Sequence, residues 1–294
     1  MKKKLLIIAI GLISFVNLSA QKEEGKSYLP KQGDVAFGIN AKPVLKYAGN
    51  IFNGNTANNI DAVGGEPITN GVSGHGLSEA LLPKVSIMGK YMLSDNLGLK
   101  ANVALLGGTD IDRKYIKDDK QSQLNPFDES KLIDQCTTSR NGMSLMLGTE
   151  YRKGANRIQG VFGAGVVMGF VSKKTSYDYA NAVTPLNQNP SAAWQDKTDL
   201  GYRVLSKKTD NSMFYGVTGS AGVEWFVAPQ IALGAEVSLT FCYVNGGQQY
   251  TESEGYNAAT QQVEVRTDLT SPGNNKFLYG TENLGGALYM IFYF

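Results

Sequence analysis

The chain has a single histidine and only two cysteines in 294 residues. One imidazole, His75, cannot build a histidine-based zinc site, and an enzymatic reading would have to rest on that residue alone. Positive charge is no more abundant. Removing Lys2, Lys3 and Lys4 from a net charge of +2 leaves −1, so there is no basic surplus to hold nucleic acid. Long apolar runs are absent beyond Leu5–Val16, which is shorter than the roughly twenty residues a helix needs to cross a bilayer. The Asp110-Ile111-Asp112 and Asp118-Asp119 clusters lack calcium-loop spacing and read as solvated charge.

What the chain does have is an exported β-protein's composition: 34 Gly, 15 Tyr and 12 Phe, residues of strands, tight turns and aromatic girdles. Residues 1–20 have the layout of a secretory signal peptide, with a basic start, the apolar run, and Leu18-Ser19-Ala20 before Gln21. No cysteine follows that cleavage site to carry a lipid anchor. At the other end Leu284, Gly286, Leu288, Met290, Phe292 and Phe294 alternate as one apolar or small face. A bare apolar edge strand is an aggregation hazard in a soluble protein and is safe in a closed barrel.

The same alternation predicts eight strands. The first covers Asp34–Leu45 and the second Lys84–Leu93; the third runs through Leu97 to Leu105 and the fourth through Met143 to Tyr151. The fifth spans Ile158 to Phe170, the sixth Met213 to Trp225 and the seventh Ile231 to Tyr243, and the eighth closes at Phe294. Turn signals at Ser94-Asp95-Asn96, Lys153-Gly154-Ala155-Asn156 and Ala228-Pro229-Gln230 join three pairs tightly. The intervening links, near Lys46–Pro83, Gly107–Asn141, Ser172–Asn211 and Asn245–Lys276, are long. Short turns on one rim and long loops on the other predict an all-β protein: an eight-stranded antiparallel up-and-down transmembrane barrel. Its expected layout is a signal peptide at 1–20, a short periplasmic segment at 21–33 and the barrel at 34–294. Both termini are expected in the periplasm and the four long loops outside.

Four segments carry a family resemblance. Gly33-Asp34-Val35-Ala36-Phe37-Gly38-Ile39-Asn40, Gly89-Lys90-Tyr91-Met92-Leu93, Gly148-Thr149-Glu150-Tyr151-Arg152-Lys153-Gly154 and Gly222-Val223-Glu224-Trp225-Phe226-Val227-Ala228-Pro229 resemble the strand-and-turn signatures of Bacteroidota outer-membrane β-barrel proteins, broadly the small OmpA/OmpX-like barrels. The resemblance implies an integral outer-membrane protein surrounded by lipid and lipopolysaccharide. Leu288, Met290, Phe292 and Phe294 are similar to the terminal signal read by the barrel-assembly machinery during insertion. The peptidoglycan-binding domain of OmpA-type proteins is not in this sequence, so a cell-wall tether is not expected.

Opposite the lipid-facing positions lie Lys90, Lys100, Glu150, Arg152, Arg157, Gln159, Glu224 and Glu236. An eight-stranded barrel leaves an interior only wide enough for side chains. Charges there must pair, because unpaired ones are expensive. Two readings stay open, a structural salt-bridge plug and a proton or ion relay; a general porin is not expected at that width. Cys136, before the fourth strand, and Cys242, at the top of the seventh, either bridge across the barrel mouth or remain separate thiols. No cofactor or metal is expected. His75 sits among glycines in the first long loop, where a solvated loop residue is the simpler account than a catalytic one. The lipid A palmitoyltransferase, an eight-stranded family that works from its loops, has a preceding amphipathic helix not seen here.

The loops mix Asn, Gly, Ser and charges with Tyr115, Phe127, Tyr177, Tyr179, Trp194, Tyr202, Tyr250 and Tyr256. Large loops on a rigid scaffold usually carry function. The expectation is a non-enzymatic barrel whose loops bind a partner protein, glycan or lipopolysaccharide. The alternative is a narrow transport channel or an accessory subunit of a larger importer.

Overall fold

The computed structural model describes residues 28–40, 86–280 and 284–294. The signal peptide, His75, the first long loop at Lys46–Pro83, and the far ends of the first two expected strands lie outside the described residues.

Eight strands wind up and down and close into an antiparallel barrel. In chain order these are β1 (Val35–Asn40), β2 (Ile87–Met92), β3 (Leu97–Lys117), β4 (Lys131–Ala155), β5 (Ile158–Asp178), β6 (Arg203–Ala228), β7 (Ile231–Gly246) and, at the end of the chain, β11 (Leu284–Tyr293). Each pairs with its neighbour, and β11 closes the ring between β7 and β1. Phe294 completes the seam, since its N–H donates to the Val35 carbonyl at 2.8 Å and its carbonyl accepts from the Val35 N–H at 3.1 Å. No edge is left along this seam, which is what makes an apolar terminal strand tolerable.

Alternation decides which side chains face out. Leu99, Leu147, Phe162, Val166, Tyr215, Val223, Leu233 and Leu288 are exposed on the outer surface, while their sequence neighbours are turned inward. A continuous outward belt of exposed apolar and aromatic residues is the surface of a barrel that crosses a membrane, where no lipid-exposed backbone group is left unpaired. On one rim the connections are tight. Asn156 and Gln230 hold left-handed backbone (φ 54° and 62°) at the β4–β5 and β6–β7 turns. Residues 28–34 fold beneath this turn rim: the Gly33 N–H donates to the Met92 carbonyl at 2.8 Å and the Gln32 N–H to Asp95 Oδ1 at 2.9 Å.

The opposite rim corrects the expected loops. The ladder does not stop where the apolar alternation stops. β3 and β4 stay paired from Leu97↔Tyr151 up to Lys117↔Lys131, leaving only 118–130 as a connection, which holds the short helix α1 (Asp119–Leu124). β5 and β6 likewise shorten the next link to 179–202. A membrane crossing needs about 9–11 residues per strand. β4 has 25 and β6 has 26, so more than half of each stands clear of the bilayer. The last link is also built: β8 (Gln249–Asn257) and β9 (Gln262–Ser271) form a hairpin whose β8 edge pairs with the top of β6. β10 (Asn275–Leu278) pairs with the top of β7, above β11 on the same partner strand. The lipid-facing pattern ends with the lipid, whereas backbone hydrogen bonding continues in water.

Candidate functional site

Two regions concentrate polar chemistry, and the first is the lumen near the turn rim. Each charged side chain arrives there through the period of two, and four of the six find room beside a glycine on a neighbouring strand. Lys100 pairs in register with Gly148, Glu150 with Gly98 and Gly163, Glu224 with Gly234, and Glu236 with Gly222. Lys90 and Lys100 stand directly opposite one another, a like-charge pair that would be destabilising alone. Three carboxylates answer them.

Lys90 Nζ donates to Glu150 Oε1 at 2.7 Å and to Glu224 Oε1 at 2.5 Å. Lys100 donates to Glu236, with Glu150 Oε2 3.8 Å away. Arg152 Nη2 donates to Glu224 Oε2 at 2.8 Å and to Glu150 Oε1 at 3.2 Å. Tyr289 and Tyr293 add hydroxyl donors to Glu224 at 2.9 and 3.0 Å. Glu224, 0% exposed, is thus the hub: two cations and two phenols converge on one carboxylate. Three cations balance three anions, and all six charged residues are buried. Beside them Ala36, Met88, Met92, Phe226, Ala232 and Ile291 form an apolar cluster, against which Tyr28 and Leu29 pack.

The expected lumen residues therefore come together except for Arg157. It occupies the β4–β5 turn beside Asn156, is exposed, and lays its guanidinium over the Tyr28 ring at 3.9 Å. Alternation fails there because the chain has already left the strand. Gln159, also expected inside, is buried and donates to the Asn156 carbonyl at 3.2 Å. Tyr289 and Tyr293 were not singled out from sequence, although the count that sends Leu288, Met290, Phe292 and Phe294 outward sends these two inward. Of those four, Leu288 and Phe294 are exposed on the outer surface, and Met290 and Phe292 are half-buried.

The disulfide is a correction. Cys136 and Cys242 are free, buried thiols. Cys242 lies in an apolar cluster with Val167, Phe214, Val244 and Leu278, whereas Cys136 belongs to the β4 extension, in register between Asp112 and Tyr177. The extra strand length carries Cys136 up, away from the wall where Cys242 packs. Burial and the Asp112 charge push the Cys136 thiol up.

The second region is the loop rim, and little of it was foreseen. Asp134, wholly buried, accepts from the Ala180 N–H at 2.9 Å and the Ala193 N–H at 2.8 Å. Asn181 donates to the Lys117 carbonyl at 2.8 Å and accepts from the Asp119 N–H at 3.1 Å. The Asp119 carboxylate accepts from Ser191 N–H at 2.7 Å and Asn187 Nδ2 at 2.8 Å; against a burial effect that would raise it, these donors hold its carboxyl below the usual range. Arg203 donates to the Asn181 carbonyl and, through Nε, to Glu254 Oε1, both at 2.7 Å, and lies 4.5 Å over the Tyr179 ring. Tyr177, stacked 5.9 Å from Tyr179, donates to Asp196 at 3.3 Å; burial and the Asp196 charge push its hydroxyl up to about 12. One segment, 179–202, is thereby stitched to β3, α1, β4, β5 and β6. Along its outer side, between it and β8, a cavity of about 530 Å³ opens.

No family model and no curated protein matches the sequence. Among solved structures the chain is similar to the outer membrane protein OprG from Pseudomonas aeruginosa, at 11% identity and a TM-score of 0.31, over 91% of this chain and 99% of that one. It is similar also to the E. coli outer membrane protein W, at 10% identity and a TM-score of 0.32, over 90% of this chain and all of the other. At these levels the likeness does not bear on what the chain binds or conducts.

Proposed function

We propose that the protein is a non-enzymatic barrel of the outer membrane, both termini periplasmic, whose loop rim faces outward and binds a partner protein, glycan or lipopolysaccharide. The observation that carries this reading is the built rim. Closing hairpins requires a few residues each, yet 179–202 is held by side-chain hydrogen bonds to β3, α1, β4, β5 and β6. Ordering such a segment costs backbone entropy of roughly 1–2 kcal/mol per residue. A preorganised surface reduces the ordering cost of recognition.

In the same reading the lumen cluster is a structural plug. A neutral set of three cations and three anions, each side chain buried and ion-paired with its neighbours, supports this reading. Leu288, Met290, Phe292 and Phe294 serve the assembly machinery, and the Bacteroidota resemblance of the strand-and-turn segments belongs to this proposal too. Crosslinking and co-purification from native outer membranes test the rim. A stoichiometric partner lost when 183–200 are deleted is expected; no crosslinked species, together with steady conductance of the unmodified protein in planar bilayers, would turn the assignment to transport.

A further inference from the structure

We infer that the cleft between the 179–202 segment and β8 is a binding site for a short neutral oligosaccharide, an assignment that rests on reading the loop rim as a recognition surface. Its volume of about 530 Å³ falls within the range of small-ligand sites. Three aromatic residues line it, Trp194, Tyr202 and Tyr256. Aromatic ring faces carry partial negative charge and suit the slightly positive C–H faces of a pyranose ring. Both the indole and the first of the phenols are packed against neighbouring groups. Trp194 has Lys114 5.2 Å over its ring and Tyr177 at 6.1 Å. Tyr202 lies so close to Gly255 that a Cβ there would run into its ring, and Arg266 is 5.8 Å from the ring centre.

Between the rings stand Gln188, Asn189 and Gln195, whose amides both donate and accept, as a polyhydroxylated ligand requires. The charge pattern selects the class of sugar. Two carboxylates, Asp196 and Glu254, and two cations, Lys197 and Arg203, lie along the lining. Arg203 is committed to Glu254 at 2.6 Å, and Asp196 to Lys207 at 2.6 Å. A phosphate or sulfate would need surplus cations in forked geometry, and the committed Arg203 does not supply them. A neutral saccharide needs aromatic faces and amides, and both are present.

The two tryptophans make the test direct. Trp225 is 53% exposed on the lipid-facing wall, so W225F leaves Trp194 as the only indole. Titrating the full-length W225F barrel in detergent with malto-, cello-, xylo-, manno-, galacto- and chito-oligosaccharides should give a saturable change in emission with at least one. Tyr202→Ala and Gln195→Ala should bind that sugar roughly tenfold more weakly or worse. Phe127→Ala, 91% exposed in the neighbouring connection, should not change it. Should Tyr202→Ala disorder the rim, as judged by limited proteolysis within 179–202, Gln195→Ala decides, since that side chain is exposed and makes no hydrogen bond to another described residue. No saturable response to any neutral sugar, or a response unaltered in Gln195→Ala, overturns the assignment. A response confined to sulfated or phosphorylated sugars, or to peptides, overturns it while leaving the recognition reading intact. That reading fails separately, when crosslinking from native membranes yields no rim-dependent partner.

Discussion

The lumen cluster and the loop rim solve one problem, a set of buried polar groups, in opposite ways. In the lumen, side chains answer side chains: Glu224 gathers Lys90, Arg152, Tyr289 and Tyr293, partners drawn from three other strands, β2, β4 and β11. At the rim, side chains answer backbone: Asp134 holds two amide N–H groups, and Asn181 bridges main-chain atoms of Lys117 and Asp119. The first arrangement welds the wall of the barrel to itself. The second fastens a segment onto a wall that is already complete. Damage in the lumen should therefore spread through the whole barrel, whereas damage at the rim should stay local.

The largest effect is expected from Glu224→Leu. Lys90 and Arg152 would be left to share Glu150, three buried cations would face two carboxylates, and an uncompensated buried charge typically costs about 3–5 kcal/mol. The midpoint of urea unfolding in detergent should fall with a single transition, and an unchanged midpoint would contradict the hub. Gly234→Val tests the same layer by shape. A side chain there meets the Tyr289 ring, so about 1–3 kcal/mol of overpacking is expected, again in one transition.

Asp134→Ala probes the other region. It strands the amides of Ala180 and Ala193 at a cost of about 1–3 kcal/mol for each lost partner. Limited proteolysis should now cut within 179–202 while heat-modifiable migration, a property of the barrel, is retained. Loss of the barrel fold would erase the distinction between the two regions. Acid offers a gentler version. Because the Asp119 carboxyl is held below its ordinary value of 3.8, its bonds to Asn187 and Ser191 contribute fully above that pH and are lost as pH falls through the lower folded value. Cleavage in 179–202 by an acid-active protease should rise below pH 3.8 in the native protein and show no such rise in Asp119→Asn.

The smallest effect concerns Cys136 and Cys242, which belong to different regions and do not bridge them. Mass spectrometry after unfolding without reductant should count two alkylated thiols. A single oxidised pair would tie rim to wall and collapse the comparison.

Legibility differs between the regions for a physical reason. Lys90, Lys100, Glu150, Arg152, Glu224 and Glu236 could be read as inward because facing is a local property, settled by counting in twos from lipid-facing neighbours. Arg157 broke the count since it had already entered the turn. Beyond Leu105 and Met143 both strand faces meet water, the alternation disappears, and the extensions of β3 and β4 read as loop although their ladder is continuous to Lys117 and Lys131.

By itself, then, the sequence determined the eight strands of the barrel wall, the tight turns that join them on one rim, and the side of the wall on which each lumen charge stands, all consequences of a two-residue period against a lipid boundary. Only the tertiary structure decided which charges meet, that Tyr289 and Tyr293 complete the Glu224 cluster, that the two cysteines stay apart, and that Asp134, Asn181 and Arg203 turn an outer loop into a built rim. Those outcomes depend on register between strands far apart in the chain and on side chains bonding to main-chain atoms, and neither leaves a periodic trace in the residues themselves.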